Sequence, residues 1–208
     1  TIYGTRYSQL PKTNAPVISD MSSFILSEEI NVNDYGCIFA GAQKNIGPAG
    51  VCIVIVKRSL IGKQMDITPR LYKYKLMDEA SSMSNTPPTY AIYIAGLVFR
   101  DLLQKGGVKT AEETNRKKAA LLYDFIDESS LFSSPVRKQD RSLMNVPFVT
   151  GNPDKDAKFI AEAGEAGLAN LKGHRSVGGM RASIYNAMPI EGVTKLVDFM
   201  NNFEKNNA

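Results

Sequence analysis

The sequence predicts an α/β protein that begins with part of a sheet domain and continues into a smaller α+β domain. Three short apolar segments in the first half, Pro16–Asp20, Tyr35–Ala40 and Val51–Val56, have the length and composition of buried strands. In the second half the predicted strands and helices are shorter and alternate, which favours a compact α+β arrangement. We therefore predict one domain over residues 1–107 and a second over residues 108–208.

The predicted elements of the first domain are strands around a glycine-rich turn, followed by a helix. Val51–Val56 is apolar throughout, so we expect this strand to be covered on both faces. A helix is predicted from Pro87 to about Lys105, because Gly106 and Gly107 follow it. Its first half, Tyr90–Phe99, is apolar nearly all round and is expected to be buried.

The second domain is predicted to begin with a helix that has a capping box. Thr110 and Glu113 have the required spacing, and the helix is expected to reach about Glu128. The elements predicted after it are the strands Asn145–Val149 and Met180–Tyr185 and the helices Asp154–Ala166 and Glu191–Glu204. We expect the polar tail Asn201–Ala208 to fray.

Composition and charge argue against several classes of partner. The net charge of +4 is scattered and forms no basic run or motif typical of nucleic-acid binding. The longest apolar run, Ala91–Phe99, is far shorter than the roughly 20 residues of a membrane span. Cys37 and Cys52 are expected to be buried free thiols, which favours a reducing, cytoplasmic location. With only His174 available, we expect no metal site.

The first candidate for chemistry is Lys44, which lies in the glycine-rich turn Ala40–Gly50 between two predicted strands. Glycines in a turn let the backbone approach a bound group closely. A lysine that reaches into an apolar, partly desolvated site has its charged form disfavoured, so its amine becomes a usable nucleophile. This is what a Schiff base with an aldehyde cofactor requires, although a surface lysine on a turn is the simpler interpretation.

Two further segments could contact a cofactor. Asp20 ends a predicted strand, where open α/β sheets place residues that face ligands, and a carboxylate there could keep a pyridine nitrogen protonated. The segment Ser84–Thr89 offers amide and hydroxyl donors just before a helix, an arrangement that suits an anion. An ordinary capping loop would have the same composition.

The fourth candidate is a cluster of basic residues in a glycine-rich loop. His174 and Arg175 are adjacent, Arg181 follows six residues later, and Gly178 and Gly179 lie between them. Arginine side chains match the geometry of carboxylates and phosphates. The pattern therefore predicts recognition of an anion.

In order along the chain, these segments resemble the phosphoserine aminotransferase family. The resemblance extends over essentially the whole sequence, and two of its motifs are long enough to make coincidence implausible. The segments that carry it are Asp20–Ser23, Ala40–Gly50, Asn85–Thr89, Met144–Phe148 and Gly173–Pro189. The resemblance implies a fold-type-I aminotransferase that binds pyridoxal 5′-phosphate. Residues 1–107 would then be the end of its large domain, which has a mixed, mostly parallel sheet, and residues 108–208 its small α+β domain.

The resemblance also implies a reaction and a role for each candidate residue. The family exchanges an amino group between glutamate and 3-phosphohydroxypyruvate, giving phosphoserine for serine biosynthesis. Lys44 would form the Schiff base and shuttle a proton, and Asp20 would pair with the pyridinium nitrogen. The remaining roles would be contacts to anions. Gln43 would contact the cofactor phosphate, and Asn85 and Thr86 would contact the cofactor phosphate of the other subunit. Arg181 would contact the α-carboxylate of the substrate, and His174 and Arg175 would contact the distal phosphate or carboxylate of the substrate.

The resemblance further implies a homodimer with shared active sites, and an N-terminal part of the family enzyme that this sequence does not include. We therefore expect this chain alone to be inactive and to need an N-terminal segment or chain. Two alternatives remain open: a structural half without activity of its own, and another class V enzyme such as a cysteine desulfurase. The expected burial of Cys37 and Cys52 argues against a desulfurase, because that reaction needs a reactive cysteine on a mobile loop.

Overall fold

The computed structural model describes residues 2–207, which form two compact units. The sheet unit comprises Pro11–Ile25 and Glu29–Gln104. The helical unit comprises the described residues up to Leu10, the segment Leu26–Glu28 and the chain from Lys105 onward. The chain combines strands and helices, which confirms the α/β class. The division into functional domains at residues 107 and 108 stays a prediction.

The sheet unit contains three strands, all of which were predicted from apolar segments. They are β1 (Ile18–Asp20), β2 (Cys37–Gly41) and β3 (Cys52–Val56). Strand β1 pairs in parallel with β2, and β2 pairs antiparallel with β3. Because β1 and β2 are parallel, both end at the same edge of the sheet, and residues that follow them lie close together.

The sheet departs from the sequence prediction in two respects. The described part is mixed, as predicted, but it is not mostly parallel, since one of its two pairings is antiparallel. Only ten residues (42–51) join β2 to β3, and a parallel crossover needs a longer connection. The prediction that β3 is covered on both faces is also wrong for this structure. Strand β3 is at the edge of the described sheet, and Val54 and Ile55 are exposed.

The sheet unit also contains the helices α1 (Tyr74–Glu79) and α2 (Thr89–Gln104). The predicted burial of the apolar half of α2 is wrong. Only its small residues Ala91 and Ala95 are buried, whereas several of its large apolar side chains, such as those of Tyr90 and Tyr93, are exposed. The small residues allow a close approach: a Cβ added to Gly47, in the lysine turn, would lie 3.4 Å from the backbone of Ala95.

The helical unit is built from three helices and a two-stranded antiparallel sheet. Its elements are α3 (Gly107–Glu128), β4 (Asn145–Phe148), α4 (Pro153–Glu165), β5 (Met180–Ser183) and α5 (Ile190–Asn207). The core between them contains aliphatic side chains and a cluster of phenylalanines. Phe132 and Phe159 lie edge-to-face with ring centroids 5.3 Å apart, and Phe159 makes the same kind of contact with Phe203 at 5.1 Å. Such edge-to-face pairs stabilise a core beyond the area that they bury.

Two expectations for the ends of these helices are wrong. Helix α3 begins at Gly107 and is preceded by Gly106 in the left-handed conformation, so Thr110 lies inside the first turn and its hydroxyl donates to the Gly106 carbonyl. The residues 201–207, predicted to fray, belong to α5, because the buried Phe203 anchors them to the core. Ala208 lies outside the described residues.

Lys118 on α3 is completely buried, which the sequence did not indicate. Its ammonium group donates to the backbone carbonyls of Ile184 at 3.1 Å, Tyr185 at 2.9 Å and Met188 at 3.0 Å. Burial lowers the pKa of Lys118 from its ordinary 10.5 to about 8. One buried amine thus holds the turn that follows β5.

Candidate active site

The carboxylate of Asp20 lies at the end of β1, beside the end of β2. The strand pairing sets Asp20 opposite Phe39, and the backbone N–H of Met21 donates to the Phe39 carbonyl at 2.8 Å. The next residue, Ser22, uses its backbone N–H to donate to Asp20 Oδ1 at 2.8 Å. The acid is therefore exposed to a ligand at the sheet edge but fixed in orientation by its own chain.

The surroundings of Asp20 keep its carboxyl group ionised. Partial burial raises its pKa, but the hydrogen bonds from the hydroxyl and backbone N–H of Ser22 and the nearby Lys44 ammonium lower it more, so the net pKa lies below the ordinary value. Lys44 follows β2, and its charge is one of the smaller influences on the pKa of Asp20. Because β1 and β2 are parallel, Asp20 and the turn that carries Lys44 lie at the same end of the sheet.

Lys44 lies in the turn between β2 and β3 and is half-buried. The turn is closed by the Ala42 N–H donating to the Val51 carbonyl at 2.9 Å, and by the N–H groups of Ile46 and Gly47 donating to the Ala42 carbonyl. Gln43, next to the lysine, is exposed. Its amide lies over Gly41, where an added Cβ would come within 2.5 Å of Gln43 Oε1.

The lysine turn is tied to the segment that follows Asp20 by two hydrogen bonds. The backbone N–H of Gly41 donates to Ser22 Oγ at 2.9 Å. The buried amide of Asn45 donates from Nδ2 to the Ile25 carbonyl at 3.0 Å. Sequence reasoning assigned no role to Ser22 or Asn45, since a hydroxyl and an amide next to a motif give no sign of where they point.

The predicted anion contacts Asn85 and Thr86 lie elsewhere in the sheet unit, on the loop before α2. Both residues are exposed, and Asn85 Nδ2 donates to the Thr86 carbonyl at 3.3 Å. The helix itself begins at Thr89, after Pro87 and Pro88. The loop is therefore placed as predicted, immediately before a helix N-terminus, and its binding role stays a prediction.

His174 and Arg175 belong to a tight loop of the helical unit. The Gly173 N–H donates to the Gly179 carbonyl at 2.8 Å, and a Cβ at Gly173 would lie 2.0 Å from the Gly178 carbonyl oxygen. Nδ1 of His174 accepts from the Ser176 backbone N–H at 3.2 Å. An Nδ1 that accepts leaves the ring proton on Nε2, where it is available to donate to an anion.

Arg181 lies on β5, opposite Pro147 of β4. Its Nε is buried, and among residues 2–207 it has no hydrogen-bond partner. A buried donor without a partner is costly, so it commonly marks a place for a ligand or an ordered water. Arg181 thus has the property expected of a residue that meets an anion.

The two cysteines differ from each other. Cys37 is buried and burial raises the pKa of its thiol, as expected for a structural cysteine. The predicted burial of Cys52 is wrong, because Cys52 begins the exposed edge strand β3. It pairs with Gly41 in a regular ladder, not on a mobile loop. Within residues 2–207, no helix is long and apolar enough to cross a membrane, and no group of His, Cys, Asp and Glu side chains could hold a metal ion.

Comparison with known proteins identifies the family. The sequence model of the class-V aminotransferases matches residues 7–196, so the chain belongs to this family. It is 55% identical over 210 residues to the phosphoserine aminotransferase of Streptococcus agalactiae and 53% identical over 212 residues to the chloroplastic phosphoserine aminotransferase 2 of Arabidopsis thaliana. Both alignments cover 100% of this chain, but only 58% and 50% of those relatives.

Solved structures of the family show the same fold. The phosphoserine aminotransferase of Bacillus circulans superposes with a TM-score of 0.96 at 40% identity, over 100% of this chain and 58% of that one. A pyridoxal-phosphate-bound phosphoserine aminotransferase from Trichomonas vaginalis superposes with a TM-score of 0.92 at 40% identity, over 97% and 58%. The chain therefore spans between 50% and 58% of the length of these relatives.

Proposed function

We propose that this chain is the lysine-bearing part of a phosphoserine aminotransferase that exchanges an amino group between L-glutamate and 3-phosphohydroxypyruvate, a step of serine biosynthesis. The observation that carries the proposal is the placement of an ionised Asp20 at the end of β1 and of Lys44 in the turn that follows the neighbouring parallel strand β2. The similarity to phosphoserine aminotransferases over the full chain supports the choice of substrates.

The residues at this edge fit pyridoxal 5′-phosphate as the cofactor. Bound there, it supplies an aldehyde that reacts with amines and a protonated ring that accepts electrons. A half-buried amine and an ionised carboxylate at the same end of the sheet are the two groups that such a molecule needs. Asp20 would accept a hydrogen bond from the ring nitrogen and keep it protonated.

Lys44 has two tasks in this proposal. Its Nζ holds the cofactor before substrate arrives, and it then removes the proton from the substrate α-carbon. Both tasks require Nζ to return to the same position in each cycle. The closed turn, which Asn45 ties to the chain after Asp20, supports that requirement.

Anions of the cofactor and substrate are assigned to the remaining site residues. We assign Gln43 to the cofactor phosphate, and Asn85 with Thr86 to the cofactor phosphate of a second subunit. Arg181 holds the substrate α-carboxylate, which is the natural partner for its buried Nε. His174 and Arg175 meet the distal phosphate or carboxylate of the substrate.

The working enzyme in this proposal is a cytoplasmic homodimer in which each subunit also has the N-terminal part found in the relatives. That complete subunit is meant wherever activity is discussed below. Within this chain, residues 1–107 form the end of the cofactor-binding large domain and residues 108–208 the small domain. The exposed apolar side chains of β3 and α2 are consistent with further protein covering them.

The function is tested by assaying the complete, cofactor-loaded subunit with glutamate and 3-phosphohydroxypyruvate. We expect stoichiometric formation of 2-oxoglutarate and phosphoserine. Pyruvate replaces 3-phosphohydroxypyruvate in the control assay, because it lacks the distal phosphate. Equal or faster turnover of pyruvate would contradict the proposed substrate.

The two arginines are expected to have separate tasks. Replacing Arg181 by Ala should lower kcat/KM for glutamate and phosphoserine alike, by about 1.5–3 kcal/mol of transition-state stabilisation, since every substrate has an α-carboxylate. Replacing Arg175 by Ala should harm phosphoserine more than glutamate, because the phosphate carries more charge than the distal carboxylate. Steady-state kinetics of both variants with both substrates measure this, and equal losses in all four combinations would refute the division.

A further inference from the structure

Asn45 directly follows the lysine of the proposed site and is buried. Its Nδ2 donates to the backbone carbonyl of Ile25, which is also buried, at 3.0 Å. A carbonyl oxygen can only accept a hydrogen bond, so the nitrogen of the amide must face Ile25 and the amide has one orientation. A buried amide of this kind acts as a specific attachment, because a polar group away from water is stable only with its partners in place.

The segment to which Asn45 is attached begins next to Asp20. The N–H of Met21 donates to the carbonyl of Phe39 at 2.8 Å, so the start of this segment is held to β2. The N–H of Ile25 donates to the carbonyl of Met21 at 2.8 Å, which closes the segment into a single turn. The carbonyl that accepts from Asn45 is therefore connected to the acid by a short, hydrogen-bonded piece of chain.

A second hydrogen bond attaches the other side of the lysine to the same segment. The backbone N–H of Gly41 donates to Ser22 Oγ at 2.9 Å. Gly41 is three residues before Lys44, and Asn45 is one residue after it. Lys44 is thus flanked by two attachments to the chain that follows Asp20. The main chain at the lysine has little freedom as a result, and the position of Nζ depends on the rotation of its own side chain.

The cofactor proposed for this site is rigid, so it requires a constant spacing of the residues that hold it. In pyridoxal 5′-phosphate the aldehyde is on the ring carbon opposite the ring nitrogen. If Asp20 holds the ring nitrogen, the aldehyde has one place, and Nζ of Lys44 must reach that place. A displacement of about 1 Å at a reacting group can cost roughly 100-fold in rate. The protein therefore has to set the spacing of the lysine and the acid.

We propose that Asn45 is a positioning residue, whose amide fixes the main chain at Lys44 relative to Asp20 so that Nζ meets the aldehyde of a cofactor held by that acid. This inference rests on the proposed function of the site. Asn45 acts only through the neighbouring lysine and touches neither cofactor nor substrate. Without its hydrogen bond the lysine turn moves more freely, and Nζ spends less time at the reacting carbon.

The inference is tested in the complete subunit with two variants that remove the amide. Asn45→Leu fills the space without a donor, and Asn45→Ser has a shorter polar side chain. Each subunit is freed of cofactor and mixed with pyridoxal phosphate, and absorbance follows the covalent attachment. We expect both variants to attach the cofactor roughly tenfold more slowly than the wild type. In the loaded enzyme kcat should fall by a similar factor with little change in KM, because Lys44 also moves the substrate proton.

Hydrogen exchange followed by mass spectrometry gives a readout that needs neither cofactor nor turnover. The N–H groups of Ile46 and Gly47 donate to the Ala42 carbonyl at 3.1 and 2.8 Å and close the lysine turn. In both Asn45 variants of the cofactor-free subunit these amides should exchange roughly tenfold faster than in the wild type, because the turn opens more often.

Tyr123→Phe provides the matched control, since it also removes one buried hydrogen bond from a side chain to a backbone carbonyl. The hydroxyl of Tyr123 donates to the Ser142 carbonyl at 3.1 Å in the helical unit. This variant is expected to lose about 1 kcal/mol of stability. It should attach the cofactor at the wild-type rate and leave the exchange of the lysine turn unchanged.

Wild-type attachment rates in both Asn45 variants would overturn the inference. Slow attachment in Asn45→Leu alone would overturn it as well, because the cause would be the bulk of Leu and not the lost hydrogen bond. Equal slowing in Tyr123→Phe would do the same. Failure of the proposed function gives a different result, in which the wild-type complete subunit itself does not exchange amino groups between glutamate and 3-phosphohydroxypyruvate.

Discussion

Replacing Asp20 by Asn is expected to slow proton abstraction from the substrate by roughly 100- to 1000-fold, because a lost charge pair costs a few kcal/mol. Asn can still accept a hydrogen bond, but it carries no charge to keep the ring nitrogen protonated. The cofactor should therefore still bind covalently, while the ring accepts electrons poorly. Stopped-flow absorbance of the half-reaction with glutamate measures the step.

A matched acid elsewhere in the sheet unit controls for a general loss of charge. Asp34 is exposed and lies in a short helical turn that hydrogen-bonds only locally, through Asn31. Asp34→Asn should leave the half-reaction at wild-type speed. A wild-type rate in Asp20→Asn would remove Asp20 from the mechanism.

Replacing Lys118 by Met is expected to lower the free energy of unfolding by about 3–5 kcal/mol, although the two side chains have similar volumes. The ammonium group donates hydrogen bonds to three carbonyl oxygens in the turn after β5, and Met has no donor that could replace them. Urea denaturation followed by circular dichroism measures the loss. The exposed neighbour Lys117 provides the control, since Lys117→Met should change stability by less than about 0.5 kcal/mol.

The same lysine predicts a dependence of stability on pH. The folded pKa of about 8 is below the ordinary 10.5, so the unfolded chain binds more protons between these values. The free energy of unfolding then rises with pH between these two values, by up to about 3 kcal/mol. Below pH 8 the buried amine is charged in the folded protein, so the protein bears the full cost of burying that charge. Lys118→Met should lack this rise. An equal pH dependence in both proteins would show that Lys118 does not titrate in this range.

The three strands of the sheet unit could be predicted because short apolar, β-branched segments between turns are typical of buried strands. The exposure of Val54 and Ile55 could not be predicted in the same way. Apolar residues show that a strand is suited to burial, but they do not show which part of a protein provides the cover. The predicted burial of the apolar half of α2 was wrong for the same reason.

Asp20 and Lys44 could be proposed as site residues because Asp20 ends one predicted strand and Lys44 follows another. Their proximity depends on the parallel pairing of β1 with β2, which no local pattern specifies. Ser22 and Lys118 were missed because their roles depend on partners distant in sequence. Gly41 is 19 residues from Ser22 in the sequence. The carbonyls that accept hydrogen bonds from Lys118 are 66 to 70 residues from that lysine.

Reduction of the complete, cofactor-loaded subunit with borohydride, followed by peptide mapping, tests the central claim most directly. Borohydride converts the bond between the cofactor and its lysine into a stable amine, so the modified residue can be identified. We expect the label on Lys44 alone, and its loss in Lys44→Ala. A label on Lys57, Lys63 or any other lysine would contradict the proposed active site.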